Sequence, residues 1–500
     1  MNNYSITKLW ETLLYNPKNP LLFNSGFFLL FFCVFLLFYI FIQNKIRLRI
    51  WFVVIVSVYF YYKSSGWYFL LMLGTSYIAH FLAIKIYLQR DAFRRKMLLV
   101  SSISIFLALL FYFKYTNFII EIVNNFTTQK IEFANIFLPL GISFYTFELI
   151  SYVVDVFHKK IKPLKRFIDF SFYVSFFPHL VAGPIVRPHE LIPQIFRKVN
   201  IDNTFIGSAV YYLCMGLFKK AVISDYISSN FVDRIFDNPT LYSGTENILG
   251  AYTYTLQIYC DFSGYSDMAI GIALLMGFHL PNNFNRPYQA TSITDFWRRW
   301  HISLSLWLRD YLYISLGGNR KGRFRTYINL FLTMLLGGLW HGANFKFIFW
   351  GALHGLALVV EKLFQSIFRS KNIVQQNSAS NFYRKIKLFL GSILTFHFVT
   401  FCWIFFRATT FESAFDMIYK ITDGVDCKLL INILMGYEGV FTLVIIGYVL
   451  HFVPKNIDFA TERILVKTPL IFQSILLSLF IWLVIQVKSA EVLPFIYFQF

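Results

Sequence analysis

Residues 21–42 read LLFNSGFFLLFFCVFLLFYIFI, a stretch of 22 residues without a charged side chain. A helix of about 20 apolar residues spans the hydrocarbon core of a bilayer, so this stretch decides the fold class. It is longer than the apolar core of a signal peptide and no small-residue cleavage site follows it, so we expect a retained membrane helix. Every backbone amide in lipid must be bonded within the protein, and strand-length alternation is absent from the sequence. We therefore predict helical spans.

The rest of the chain has the same character. Of its 500 residues, 57% are hydrophobic and only 14% are charged, whereas roughly 25% are charged in soluble domains. Further apolar runs lie near 50–62, 67–84, 97–113, 134–156, 205–226, 248–278, 326–361, 386–407, 430–453 and 468–488. The apolar segment 167–185 contains Pro178 and Pro184, so we expect it to be broken or re-entrant. These patterns exclude a large soluble globule and predict an all-α polytopic membrane protein of about 11–12 spans.

Basic residues orient the predicted helices. Lys and Arg number 46 and Asp and Glu number 26, which gives a formal charge of +20. The basic residues cluster in every second short loop, and such loops face the cytoplasm. We therefore expect both termini outside the cytoplasm, a lipid bilayer as partner, and no nucleic-acid partner. The five cysteines are odd in number and form no CxxC pair, so we predict neither a disulfide framework nor a metal site.

A group of polar residues lies within the apolar sequence DFWRRWHISLSLWLRDYLY, residues 295–313. Its tryptophans and leucines recur at three- and four-residue steps, which predicts one amphipathic helix that ends at Gly317 and Gly318. A second, polar stripe at the same steps consists of Arg298, His301, Ser305 and Arg309. Two interpretations stay open: an interfacial helix, or the floor of a cytoplasm-facing cavity whose arginines bind an anionic coenzyme. We expect Asp310 to pair with an arginine.

A second motif, GGLWHG at residues 337–342, places His341 between Trp340 and a glycine. Histidine at membrane depth faces the protein interior or a wet cavity, and neutral imidazole is the usual general base near pH 7. His341 is therefore either a catalytic base or a structural histidine in a helix-packing seam. His354 lies thirteen residues further on, beside two glycines spaced four apart, so we expect it to support a close helix crossing.

Two carboxylates, Asp261 and Asp267, lie within the apolar residues 254–278. They belong either to a structural network with an arginine or to the ion site of a transporter. No internal repeat is visible, which disfavours the transporter.

Together these motifs resemble the membrane-bound O-acyltransferase family, in the branch that acetylates bacterial polysaccharides. The matching stretches lie in the expected order at residues 139–156, 176–188, 254–271, 295–313, 337–342 and 405–408. The resemblance implies a single domain in which tilted helices form a ring around a transmembrane tunnel. Its predicted parts are N-terminal helices at 1–135, a family core at 136–365, a cytoplasmic linker at 366–384 and C-terminal helices at 385–500.

The resemblance also assigns roles to residues. The family's catalytic histidine matches His341 and its second polar site matches His301. Apart from the resemblance, we expect Trp340, Asp310 and His354 to support them. A short aromatic C-terminal motif that carries the acyl group in related systems resembles FIYFQF at 495–500, with Tyr497 as the transient carrier, although an aromatic interfacial belt would look the same. A partner with an SGNH-hydrolase-like domain outside the bacterial cytoplasmic membrane would complete transfer to a polysaccharide acceptor.

From this resemblance we expect acetyl-CoA as a donor substrate, with no permanently bound cofactor. The expected donor-binding residues are Arg298, Arg299, Ser305, Arg309, Arg320 and Lys321. His341 would deprotonate an incoming hydroxyl, because a phenol with a pKa near 10 needs a base at neutral pH. The alternative within the family is a D-alanyl transferase for teichoic acid that uses a carrier-protein thioester. The terminal FIYFQF motif favours acetyl transfer.

Overall fold

A computed structural model describes residues 11–17, 20–181, 183–369 and 381–487 of the chain. These residues are mostly helical, and no β-strand occurs among them, which confirms the all-α prediction. Most of the predicted linker and the whole FIYFQF motif with Tyr497 lie outside the described residues.

Twenty helices, numbered in chain order, organise the described residues. The first ten are α1 Gly26–Ile42, α2 Ile46–Ser65, α3 Phe69–Leu88, α4 Ala92–Phe126, α5 Ile142–Phe157, α6 Phe167–Ser175, α7 Phe177–Leu180, α8 Pro188–Ile195, α9 Asn203–Asp237 and α10 Gly244–Leu275. The others are α11 Ile293–Arg299, α12 Ile302–Trp307, α13 Gly322–His341, α14 Phe345–Arg369, α15 Asn381–Arg407, α16 Phe411–Asp423, α17 Cys427–Gly436, α18 Glu438–Phe452, α19 Lys455–Lys467 and α20 Leu470–Val487.

Several helices are long and apolar enough to cross a bilayer. By length and composition, five described segments qualify: Ile46–Leu88, Ala92–Phe126, Asn203–Asp237, Phe345–Ile367 and Phe382–Arg407. Helices α17 and α18 qualify together as a pair bent by 97°, and α1 and α20 are shorter apolar helices. The chain is thus a multi-pass membrane protein, while the number of crossings and the side of each terminus stay predictions.

The chain divides into two compact units. The first comprises residues up to Cys214 together with Tyr265–Pro281 and Glu462–Leu477. In its interior, Arg49 is fully buried and donates hydrogen bonds to the carbonyl oxygens of Gln43, Ile195 and Arg197. These bonds compensate for burying the charge. The predicted segment boundaries at 135, 365 and 385 stay predictions.

The second unit comprises Met215–Gly264, Asn282–Thr461 and the residues from Ser478 onward. Inside it, the side chain of Lys220 is buried. Its ammonium nitrogen lies 2.7 Å from a carboxylate oxygen of Asp225 and 2.5 Å from one of Asp261. The predicted arginine partner of Asp261 was therefore wrong, because Asp261 pairs with a lysine on α9 that it shares with Asp225. Asp267 belongs to the part of α10 in the first unit.

Three apolar segments differ from simple spans. The segment 167–185 breaks between α6 and α7, which confirms the expectation of a broken helix. The run 326–361 divides into α13 and α14, which are joined by three residues. The predicted single helix over 295–313 was wrong, since it is interrupted between α11 and α12 and continues from Leu308 to Tyr313 as a π-helical turn.

Candidate active site

His341 lies at the end of a tight helical hairpin formed by α13 and α14 in the second unit. The two helices touch at glycines: a Cβ on Gly338 would collide with the carbonyl oxygen of Phe347 and lie 3.0 Å from the Cα of Gly351. A Cβ on Gly351 would lie 2.5 Å from the carbonyl oxygen of Met334. Gly338 and Gly351 therefore allow backbone-to-backbone contact between the two helices, and this contact fixes the position of His341.

Aromatic rings surround the imidazole of His341, which is 3% exposed. The centroids of Trp340 and Trp350 lie 5.1 Å from it, and that of Phe406 lies 5.4 Å from it. All three rings meet the imidazole edge to face, at 73° to 88°. Such a box excludes water and restricts the orientation of the ring, which suits a neutral imidazole.

His301 occupies the break between α11 and α12. Its backbone has φ +41° and ψ +56°, a left-handed conformation that non-glycine residues rarely adopt. The side chain is fully buried, with Phe262 edge-on at 4.6 Å and Trp340 at 6.4 Å between centroids. Strain of this kind concentrates at functional sites, where the surrounding structure holds it in place.

Hydrogen bonds hold His301 from the loop before α11. Its Nδ1 lies 3.1 Å from Oδ1 of Asn283, which also accepts from the backbone N–H and the hydroxyl of Ser303. Burial lowers the pKa of His301 to about 3, because desolvation penalises the charged imidazolium. The residue is therefore neutral at physiological pH.

His354 lies on α14, one turn after Trp350, and is fully buried. Its ring contacts those of Phe296, Trp297, Trp350 and Phe398 at centroid distances of 4.8 to 6.0 Å. Neither ring nitrogen has a hydrogen-bond partner among the described residues. The supporting role of His354 stays a prediction.

A cavity of about 390 Å³ opens beside α11 and α12, within the range of small-molecule sites. Its walls are mainly apolar, and its polar lining consists of Thr294, Arg298, Ser305, Arg309, Tyr313, Thr333 and Lys362. Arg298, Arg309 and Lys362 are exposed, so their positive charges lie at the opening of this apolar cavity. This combination suits an anionic ligand that carries an apolar arm.

The structure brings half of the predicted donor-binding residues to this cavity. Arg298, Ser305 and Arg309 line it. Arg299 instead lies 2.9 Å from Asp295, one helical turn away on α11. Arg320 and Lys321 are exposed before α13 and do not line the cavity. As expected, Asp310 pairs with an arginine: Nε of Arg309 lies 2.6 Å from its carboxylate.

Trp297 connects the cavity with the two histidines of the hairpin. Its indole forms part of the cavity wall and lies 5.1 Å from His354 and 5.7 Å from Trp350, centroid to centroid. Trp350 in turn contacts His341. Two aromatic side chains, Trp297 and Trp350, therefore lie between the cavity and His341.

Sequence reasoning missed several residues of this site. Trp350 lies four residues before His354, so helical spacing could have placed it on the same face. Lys362 follows on α14 and could have been added to the basic residues. No local signal marks Asn283, which lies eighteen residues before His301. Among the described residues, no group of three or more His, Cys, Asp or Glu side chains could hold a metal ion.

Comparison with known proteins gives a consistent result. Residues 156–402 match the sequence model of the MBOAT family, the membrane-bound O-acyltransferases. The chain is 42% identical to the probable alginate O-acetylase AlgI of Pseudomonas aeruginosa over 408 residues, 79% of this chain and 74% of the relative. It is 38% identical to the peptidoglycan O-acetyltransferase of Helicobacter pylori, over 75% of this chain and 74% of the relative. Identity to the teichoic acid D-alanyltransferase of Bacillus subtilis is 28%, over 56% of this chain and 71% of the relative.

Proposed function

The chain belongs to the membrane-bound O-acyltransferase family, and from that premise we propose that this acyltransferase moves acetyl groups from cytoplasmic acetyl-CoA to hydroxyls of a polysaccharide across the membrane. The acceptor class follows the names of the relatives, which are alginate and peptidoglycan acetylases. One observation carries the proposal: an apolar cavity with basic side chains at its opening is connected to the enclosed His341 through two contacting tryptophans, Trp297 and Trp350.

The cavity suits the donor. A coenzyme presents phosphates at one end and a long, largely uncharged arm that ends in the thioester at the other. Arg298 and Lys362 would bind the phosphates by charge-assisted hydrogen bonds, and Ser305 would contact the arm. Arg309 lines the same space but pairs with Asp310, so it would contribute less. Basic residues also mark the cytoplasmic side of a membrane protein, which agrees with a cytoplasmic donor.

His341 supplies the chemistry in this proposal. Its neutral imidazole takes the proton of the attacking hydroxyl while the oxygen adds to the thioester carbonyl, and the thiolate of coenzyme A leaves and is protonated. His301 is the second polar group of the site. The hydroxyl belongs either to Tyr497, as a transient carrier on the outer side, or directly to the sugar; a covalent acyl-histidine is the third route.

The cellular setting follows from the same proposal. The enzyme lies in the bacterial cytoplasmic membrane with both termini outside, and the acetyl group crosses through a tunnel between the helices. An extracytoplasmic SGNH-hydrolase-like partner passes it to the polysaccharide. Asp261 needs no transport role here, because it belongs to a buried ion-pair cluster with Lys220 and Asp225.

The test is mass spectrometry of the C-terminal peptide after the purified full-length protein meets isotopically labelled acetyl-CoA. Wild type and His341→Ala are compared side by side. We expect label on Tyr497 in the wild type and none in the variant.

Two other outcomes are informative. Release of coenzyme A without label on Tyr497 would reject the tyrosine carrier and support direct transfer. No label and no release would overturn acetyl-CoA as donor and point to the carrier-protein thioester used in D-alanyl transfer.

A further inference from the structure

The side-chain oxygen of Asn283 faces three groups of the adjoining break. It lies 3.2 Å from the backbone nitrogen of Ser303, 2.9 Å from the Ser303 hydroxyl and 3.1 Å from Nδ1 of His301. A backbone N–H can only donate, so the carboxamide atom that faces it is the oxygen. An oxygen acceptor requires His301 to carry its proton on Nδ1.

This assignment fixes the other ring nitrogen. A neutral imidazole holds one proton, so a proton on Nδ1 leaves a lone pair on Nε2. His301 is fully buried in this structure, and its surroundings favour the neutral form. Nε2 can then accept a hydrogen bond but cannot donate one.

The loop that contains Asn283 binds the backbone beside His301 as well as the His301 side chain. The carbonyl oxygen of Asn283 accepts from the N–H of Ile302 at 2.9 Å, next to the left-handed residue His301. Asn283 is itself 1% exposed, so water does not compete for these bonds. One asparagine therefore holds the backbone at the start of α12 and sets the proton position of the histidine that precedes it.

We propose that Asn283 is a positioning residue of the acyl-transfer site: it holds His301 in the Nδ1–H form, so that Nε2 accepts a hydrogen bond from the hydroxyl nucleophile and orients it. Asn283 itself touches no reacting atom. The same tautomer prevents His301 from donating to the oxyanion, which must be stabilised by other groups. The catalytic role of Asn283 rests on the proposed function, whereas the tautomer of His301 can be measured without any substrate.

The first test is nitrogen-15 NMR of the full-length protein labelled with [15N]histidine, with His301→Gln used to assign the signal. We expect a protonated Nδ1 and an unprotonated Nε2 in the wild type. Asn283→Leu, which removes the acceptor oxygen at similar size, should change the tautomer ratio. Ser303→Ala removes a different donor from the same oxygen and should leave the tautomer as it is. An Nε2–H form in the wild type would overturn the proposal without any variant having to fold.

Kinetics provide the second test. We expect Asn283→Leu to lower kcat for acetyl transfer by about 100-fold with KM for acetyl-CoA within about threefold, since loss of one acid–base interaction costs 10²–10⁴. Asn283→Asp retains an acceptor oxygen and should keep kcat within about tenfold of the wild type. Equal losses in Asn283→Leu and Ser303→Ala would show a merely structural role and overturn the proposal. A wild type that keeps the Nδ1–H tautomer but transfers no acetyl group would reject the proposed function instead.

Discussion

His341 and His301 are both buried, and both rings approach the indole of Trp340, yet the two residues are held in different ways. His341 ends a regular helix, where aromatic rings and glycine contacts position it by shape. His301 lies in a break with left-handed backbone, where Asn283 positions it by hydrogen bonds. A side chain held by close packing loses its position when a substitution adds volume to its surroundings. A side chain held by hydrogen bonds loses its position when one acceptor is removed. The following predictions test that difference.

The largest expected effect is the loss of His341. His341→Ala should lower the rate of coenzyme A release by about 10³-fold or more, because the base for the hydroxyl is gone. His301→Gln should lower the same rate by less, about 10²-fold, because it removes the group that orients the hydroxyl but leaves the base in place. The measurement is coenzyme A release by equal amounts of purified, folded protein. Equal losses in the two variants would mean that the histidines act as one unit, and the contrast between them would fail.

Added volume in the hairpin should have the next largest effect. Gly338→Ala places a methyl group against the carbonyl oxygen of Phe347, and overpacking of this kind costs about 1–3 kcal/mol. The matched control is Gly436→Ala, since a Cβ there meets nothing within 4 Å. Thermal unfolding in detergent should show a lower Tm for the first variant and little change for the second. A normal Tm and normal activity in Gly338→Ala would show that close contact does not position His341.

The same contrast explains what the sequence could predict. The helices and the functional interest of His341 follow from local signals, namely long apolar runs and a histidine between tryptophan and glycine. The break at His301 does not, because tryptophan and leucine spacing favours one continuous helix. Bonds to Asn283, eighteen residues away, outweigh that local preference, and no local pattern records them.

The predicted set of donor-binding residues was only partly brought to the cavity. Basic residues in sequence marked the cavity region, but a one-residue difference decides between the cavity and the carboxylate of Asp295. Asp295 and Arg299 are four residues apart within α11, so helical spacing sets that choice and could have indicated it.

The protonation of His301 should appear in the stability of the protein at acid pH. Burial lowers its pKa to about 3, below the unfolded value near 6.5, so between these pH values the unfolded chain binds more protons. The stability present above pH 6.5 is therefore lost as pH falls toward 3. At pH 5 the expected loss from this residue is about 2 kcal/mol.

The measurement is Tm of the wild type and His301→Gln at pH 7 and pH 5. The variant should lose less stability between the two pH values, because glutamine does not titrate. If both proteins lose the same amount, His301 is either exposed to solvent or stabilised as a cation, and the hydrogen-bonded neutral form would be wrong.

The smallest effect is expected at the cavity, where two adjacent arginines differ in their surroundings. Arg298 lines the cavity, whereas Arg299 lies against Asp295. Arg298→Gln should raise KM for acetyl-CoA about tenfold, because an exposed charge-assisted bond to phosphate contributes of the order of 1–2 kcal/mol. Arg299→Gln should leave KM within about twofold. The effect of Arg298→Gln should also shrink at high salt, since exposed charges are screened. Equal changes in both variants would mean that diffuse positive charge attracts the donor, and a larger effect for Arg299 would place the phosphates outside this cavity.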